Sequence, residues 1–380
     1  MSQPFTEEES LLLQCLRSLV QGVPFTKTVE NVNWEAAYKL ANKHNLVPFL
    51  EMALPNSSVP EKIAALITKE SRRRKMRAAV MIQDFKTIHQ ALVENGIRVM
   101  PIKGIALTHT IYPIVSLRYF DDIDLLVPAQ DAPQAEETLK QIGYIIHPRA
   151  PKPDWHHLPP YIHHQHNTMI EIHTDLIRRT RPGWNVEGIW DRARQAKIDG
   201  METWLMSNED ALIYTALHAR HNLYNRLSYF LDATLLALKI PSDEGGRKRL
   251  VVQAREAGGT AALAHILATG SRLFGVETLP LIPRSRTQRW LANKIGGWQT
   301  TLQSTSTSLE KGPLGKLMEL PLMDSMGDSL HLAGRLIAPP PEFVSQGYGD
   351  GDNKKAGYGK RLFQRLTLAA GQLVKVVRNR

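Results

Sequence analysis

Apolar residues near the start of the chain recur at three- and four-residue spacing. Leu11, Leu12, Cys15, Leu16 and Leu19 form one stripe, and Trp34, Ala37, Tyr38 and Leu40 begin another. That is the period of an α-helix with one buried face, so helix is predicted from Glu7 to about Leu54, with Pro55-Asn56-Ser57-Ser58 as the break. A longer stripe runs from Pro60 through Ala78, Ile82, Phe85, Ile88 and Leu92 to Asn95-Gly96, where glycine supplies the left-handed cap that ends a helix. The period then changes. Ile97-Arg98-Val99-Met100 reads as a short strand, Ile105 to Tyr112 as helix, and Asp122 to Val127 as a second strand. A helix from Ala132 to Ile142, opened by Asp131 and closed by Gly143, and a third strand from Met169 to Thr174 complete the segment.

Strands interleaved with helices predict an α/β or α+β core over about Ile97 to Leu176. From Ser207 the helical period returns, with Leu212, Ile213, Ala216, Leu217, Leu227, Phe230, Leu231, Leu235 and Leu236 marking buried faces, followed by an apolar helix from Gly258 to Phe274. Four regions follow: helical 1–95, a catalytic-type core over 96–206, helical 207–338, and a Pro/Gly-rich linker with a basic amphipathic tail over 339–380.

The core carries the chemistry. In Asp122-Ile123-Asp124 the two carboxylates share one face of a strand, with Cα atoms about 6.5–7 Å apart, within reach of one hard cation such as Mg²⁺. Taken alone, such a pair fits two acids at a solvated strand end equally well. The neighbours shift the balance. Upstream, Lys103-Gly104 opens a helix, where free N–H groups and an ammonium attract phosphate. Downstream, Glu171 sits in Met169-Ile170-Glu171-Ile172-His173 on the face opposite Ile170 and Ile172, a third carboxylate.

This set resembles the nucleotidyltransferase superfamily with the DNA-polymerase-beta-like palm, and within it a bacterial group of nucleotidyltransferase family proteins. The resemblance rests on Ile102-Lys103-Gly104, Tyr112-Pro113, Arg118, Asp122-Ile123-Asp124-Leu125-Leu126-Val127, Gly143-Tyr144 and Glu171-Ile172-His173, with flanking helices alike around Ala216, His218, His221 and Asp232. It implies an α+β palm embedded in helical regions, and transfer of a nucleoside monophosphate from an NTP such as ATP to a hydroxyl or phosphate of an unknown acceptor. Asp122, Asp124 and Glu171 would hold Mg²⁺ or Mn²⁺, and Glu171, with a second metal, would lower the pKa of the acceptor's hydroxyl or take its proton. Lys103, Gly104 and Arg118 would contact the nucleotide, with His173 behind the acids. Two alternatives remain: a noncatalytic nucleotide-binding scaffold that keeps the palm, and a DxD glycosyltransferase, which normally has a nucleotide-binding βαβ half before its acids.

Other features change less. Seven histidines between His147 and His173 lie among prolines without helical pairing, which argues against zinc and for an extended loop or irregular hairpin. His218 and His221 share a helical face and are expected to pack against the core, with Asp232 as a hydrogen-bond partner. Arg72-Arg73-Arg74-Lys75 and Arg77 are expected on a solvated helix face. The net charge of +10 suggests an anionic partner, but eight of the Lys and Arg residues, and no acid, fall in 353–380. The remainder is close to neutral, which argues against nucleic-acid binding by the whole chain. The tail is expected to dock on the protein's own body or on an anionic membrane surface. A single cysteine, no spanning apolar run and a polar, acidic N-terminus point to a cytoplasmic protein.

Overall fold

The computed structural model describes residues 5–26, 31–54, 58–148, 157–176, 184–278, 323–325 and 327–330. The linker and basic tail expected at 339–380 lie outside the described residues.

Helices α1 (Glu7–Gln21), α2 (Trp34–Lys43), α3 (Val47–Ala53) and α4 (Glu61–Glu94) come first. Thr6 starts α1 with a capping box: its hydroxyl accepts from Glu9 N–H while the Glu9 carboxylate accepts from Thr6 N–H. The core follows as β1 (Met100–Ile102), α5 (Lys103–Thr110), β2 (Asp122–Leu126), α6 (Ala132–Gln141), β3 (Tyr144–Ile146), β4 (Tyr161–His163) and β5 (Met169–His173). Then come α7 (Val186–Arg192), the hairpin β6 (Arg194–Ile198) and β7 (Met201–Leu205), and α8 (Asn208–His221), α9 (Leu227–Ala237), α10 (Glu244–Glu256) and α11 (Thr260–Phe274).

The main sheet has the order β1-β2-β5-β4-β3, antiparallel except for the central β2–β5 pair. The first strand begins three residues later than its β-branched run suggests. Ile97 and Val99 are buried as expected, but the ladder to β2 opens only at Met100, opposite Leu126. Pro101 is tolerated there because β1 is an edge strand of this sheet. The histidine-rich stretch contributes β4, which closes antiparallel on both β3 and β5, and His157 bridges to His173.

Two large apolar clusters result. One joins α1, α2 and α3 to α8, α9, α10 and α11, so helices from the two ends of the described chain share a core. The other lies between α4, the main sheet, α6 and the β6–β7 hairpin. Helix α4, about 51 Å long at 1.5 Å per residue, spans both: Ile63 and Ile67 enter the helical core, and Met81, Phe85, Ile88 and Leu92 enter the sheet core.

The basic run on α4 is not uniformly solvated. Arg74 is only 3% exposed; it pairs with Glu70 at 2.7 Å and lies over the Tyr119 ring at 4.8 Å, so its guanidinium stacks and pairs where the sequence suggested water. Arg77 donates to the carbonyls of Asp121, His166 and Asn167, tying α4 to the loop before β2 and to the turn between β4 and β5.

In the helical core His44 is fully buried, its Nδ1 accepting from Leu227 N–H at 3.4 Å. Burial, with Lys43 and Arg226 nearby, pushes its pKa down to about 3. A histidine held neutral in this way contributes stability that is complete above its unfolded pKa of about 6.5 and is lost as pH falls toward the folded value. Urea unfolding between pH 6 and 4 should therefore steepen by up to about 1.4 kcal/mol per pH unit relative to His44→Gln. Identical slopes in the two proteins would contradict this.

Candidate active site

The site grows from the centre of the sheet. In the parallel β2–β5 ladder Asp124 stands opposite Glu171 and Leu126 opposite His173, so the alternation of strand side chains puts Asp124, Glu171 and His173 on one face while Ile123, Leu125, Ile170 and Ile172 fill the sheet core. Asp122 shares the parity of Asp124, one step toward the start of the strand. The next element, α5, begins at Lys103, directly after Ile102, which pairs with Asp124 from the other side.

The charges meet closely. Lys103 Nζ donates to Asp124 Oδ1 at 2.6 Å and stands 3.4 Å from His173 Nε2. His173 Nε2 is 2.9 Å from the same Asp124 oxygen and 3.5 Å from Glu171 Oε2. Asp124 is 1% exposed and His173 also 1%. Burial raises the cost of a charged Asp124, yet Lys103 and His173 outweigh it and hold the carboxyl below its usual range. For His173, burial and Lys103 oppose protonation, but hydrogen bonds to Asp124 and Glu171 draw its pKa up. For Asp122, burial and the Asp124 charge outweigh the more distant Lys103 ammonium and push it up to about 7.

These groups fit a divalent cation. Asp124, Glu171 and His173 each offer one ligand atom, all within 4.8 Å of one another. Two carboxylates with one imidazole suit Mn²⁺ at least as well as Mg²⁺, whose preference is for oxygen. His173, placed behind the acids by the sequence, brings its Nε2 into the cluster itself.

A cavity of about 240 Å³ opens beside the acids. Lys103, Gly104, Asp122 and Asp124 line it together with Tyr214, His218, Arg226 and Tyr229. Gly104 is required by packing: a Cβ there would meet Phe120 Cβ at 2.5 Å and Arg118 Nη1 at 3.1 Å. Gly104→Ala should therefore cost about 1–3 kcal/mol of stability by overpacking, read as a lower urea midpoint; an unchanged midpoint would contradict the clash.

Arg118 also lines the cavity, but its guanidinium is bound to Asp232: Nη2 donates to Oδ2 at 2.9 Å and Nε reaches both oxygens at 3.1 Å. Tyr112 donates to Asp232 Oδ1 at 2.5 Å. Asp232 thus anchors Arg118 and Tyr112, not the histidines of α8. His218 instead packs edge-on to Tyr229 and pairs with Asn222, and burial together with the Lys103 charge keeps it neutral. Among the described residues, Arg194 and Arg226 line the cavity without an ion pair. Sequence reasoning missed both, because neither lies in a motif; only the fold carries β6 and the start of α9 to the acids.

A family model described as an uncharacterised nucleotidyltransferase matches residues 30–275, taking in α2 through α11 and every residue of the acid cluster. The chain belongs to that nucleotidyltransferase family. It is accordingly a nucleotidyltransferase enzyme, and its core is α+β, a mixed five-stranded sheet embedded in helices. Two solved structures are similar over about half of the nucleotidyltransferase, both of the antibiotic-resistance factor ANT(2'')-Ia. The solution structure has 15% identity and a TM-score of 0.35, covering 50% of this chain and 96% of that one. The crystal structure with adenylyl-2''-tobramycin has 14% identity and a TM-score of 0.34, covering 46% and 96%. No curated protein matches the nucleotidyltransferase. None of its helices among the described residues is long and apolar enough to cross a membrane.

Proposed function

We propose that this nucleotidyltransferase moves a nucleoside monophosphate from an NTP to a hydroxyl or phosphate of an acceptor molecule, using Mg²⁺ or Mn²⁺ held at the β2–β5 acids. The observation that carries the reading is the parallel register that sets Asp124 against Glu171, with Lys103 at the head of α5 on the same cluster. Bound there, the divalent ion neutralises charge on the transferring phosphoryl group and fixes its orientation.

The chain's own groups divide the remaining work. Asp124, Glu171 and His173 hold the ion, with Asp122 at the cavity side. Glu171, 21% exposed at its side chain against 1% for Asp124, is the carboxylate placed to take the acceptor's proton. Lys103 and the start of α5 meet the phosphates, with Gly104 allowing the tight turn past Phe120. Arg118 shapes the cavity through its pair with Asp232, while Arg226 and Arg194 supply cations that are not already committed to a carboxylate. The glycosyltransferase alternative has no support, since helices and one three-residue strand are all that precede β2 among the described residues.

The test is incubation of the full chain with each labelled NTP, a fractionated pool of small-molecule acceptors, and Mg²⁺ or Mn²⁺. Label in an acceptor fraction that disappears with EDTA supports the reading. Tight NTP binding with no product from any fraction favours the noncatalytic scaffold.

A further inference from the structure

Lys103 is the residue whose placement the proposed reaction does not explain. A lysine meant only to hold phosphate has no reason to spend its ammonium on the carboxylate that should hold the metal. Yet Nζ lies 2.6 Å from Asp124 Oδ1, the same oxygen that receives His173 Nε2, and 3.4 Å from that imidazole nitrogen. Its side chain is 18% exposed, and the partner carboxylate only 1%. Its electrostatic neighbours beyond Asp124 are Tyr214, Asp122 and Glu171, so one ammonium serves every acid of the cluster.

The backbone shows that this placement is held against a local preference. Lys103 has φ 49°, in the left-handed region that residues with a Cβ rarely adopt outside Asn and Asp. The turn from β1 into α5 is made at that residue, and it aims the side chain back across β2, not out along the helix. A buried carboxylate facing a half-buried one across a ladder needs a positive partner, and among the described residues Lys103 is the only Lys or Arg in an ion pair with Asp124.

We infer that Lys103 is a tethered counter-cation: in the nucleotide-free protein its ammonium occupies Asp124 and keeps free divalent ions off the Asp124–Glu171–His173 cluster, and it releases Asp124 when metal arrives together with a nucleotide whose phosphates take the ammonium over. The inference rests on the metal-dependent reading above and adds an order to it. An ammonium 2.6 Å from Asp124 Oδ1 neutralises the charge that would draw a divalent ion and repels the ion itself, so the ion binds well only as the ammonium moves away. The lysine leaves a buried carboxylate only for an equally good anion. The cavity wall that carries Lys103 and Gly104 is where a triphosphate would offer one. The consequence is a site with little affinity for metal alone, which guards the acids against idle ions and makes metal and nucleotide bind as a pair.

The test uses Mn²⁺ and the full chain, read by electron paramagnetic resonance of free against bound Mn²⁺ and by the thermal midpoint with and without Mn²⁺. Wild type, Lys103→Met, Lys103→Gln and Lys103→Met/Asp124→Asn are compared, each with and without a non-transferable NTP analogue. Nucleotide-free wild type should bind Mn²⁺ at least tenfold more weakly than Lys103→Met, whose midpoint rises with Mn²⁺, and the added Asp124→Asn should abolish the gain. Lys103→Gln, one atom shorter, is neutral but polar and guards against a folding failure of the Met variant. If nucleotide-free wild type binds Mn²⁺ through Asp124 as tightly as the neutral variants, or as tightly as it does with the analogue present, the counter-cation role is wrong and the metal site stands. If no form shows Asp124-dependent Mn²⁺ binding, with or without nucleotide, the metal reading falls and the inference falls with it.

Discussion

Asp124→Asn should lower nucleotidyl transfer by about a thousandfold or more, about 4 kcal/mol of transition-state stabilisation, with a much smaller change in KM for the NTP. The reason is positional. Asp124 is the buried centre of the cluster, bonded to Lys103 and His173 and opposite Glu171. An amide keeps the volume but loses the negative charge that holds the ion, and it offers only one oxygen where the carboxylate offers two. The nucleotide's remaining contacts are on the cavity walls, so its binding is expected to survive. Asp121→Asn serves as the comparison, because Asp121 precedes β2 and has the opposite parity from the pair; its transfer rate should stay within a few-fold of wild type. A loss as large in Asp121→Asn as in Asp124→Asn would mean that parity on β2 does not decide function.

The second large effect concerns stability. Asp232→Ala should destabilise the protein by about 3–5 kcal/mol, because it leaves the Arg118 guanidinium, 13% exposed, and the Tyr112 hydroxyl without their common partner in a low-dielectric interior. Asp232→Asn, which still accepts from Tyr112 but cannot neutralise Arg118, should fall between wild type and Ala. The urea midpoint with an unchanged m-value is the measurement. A shift corresponding to less than about 1 kcal/mol for Asp232→Ala would show that Arg118 is satisfied by water, not by its carboxylate.

Much of this architecture was legible before any coordinates. The 3.6-residue stripes located α1 and α4, which bury one face, and the apolar runs located α8, α9 and α11, which are buried nearly all round, while the Asp122/Asp124/Glu171 parity followed from strand alternation alone. What was not legible depended on partners far away in the chain. β4 is a three-residue strand set by the ladders on both its sides and β3 one set by its single ladder to β4, not by their own composition, and the hairpin β6–β7 is two five-residue runs too short and too mixed in polarity to stand out from a loop. The same holds within the site. That Lys103 turns to Asp124, Arg118 to Asp232 and Arg74 to Glu70 and Tyr119 is a choice among many carboxylates and rings, decided by burial. Lysine at the head of a helix read as a phosphate contact, and only the fold reveals that it first serves an acid.

The most direct measurement is a single-turnover comparison of α-labelled and γ-labelled NTP with the acceptor fraction, run with wild type and with Asp122→Asn/Asp124→Asn, in Mg²⁺ and in EDTA. The site described here predicts that α-label alone reaches the acceptor, only with the divalent ion and only in wild type, while γ-label leaves as pyrophosphate. Transfer of α-label at an undiminished rate in EDTA, or by the doubly substituted protein, would contradict it.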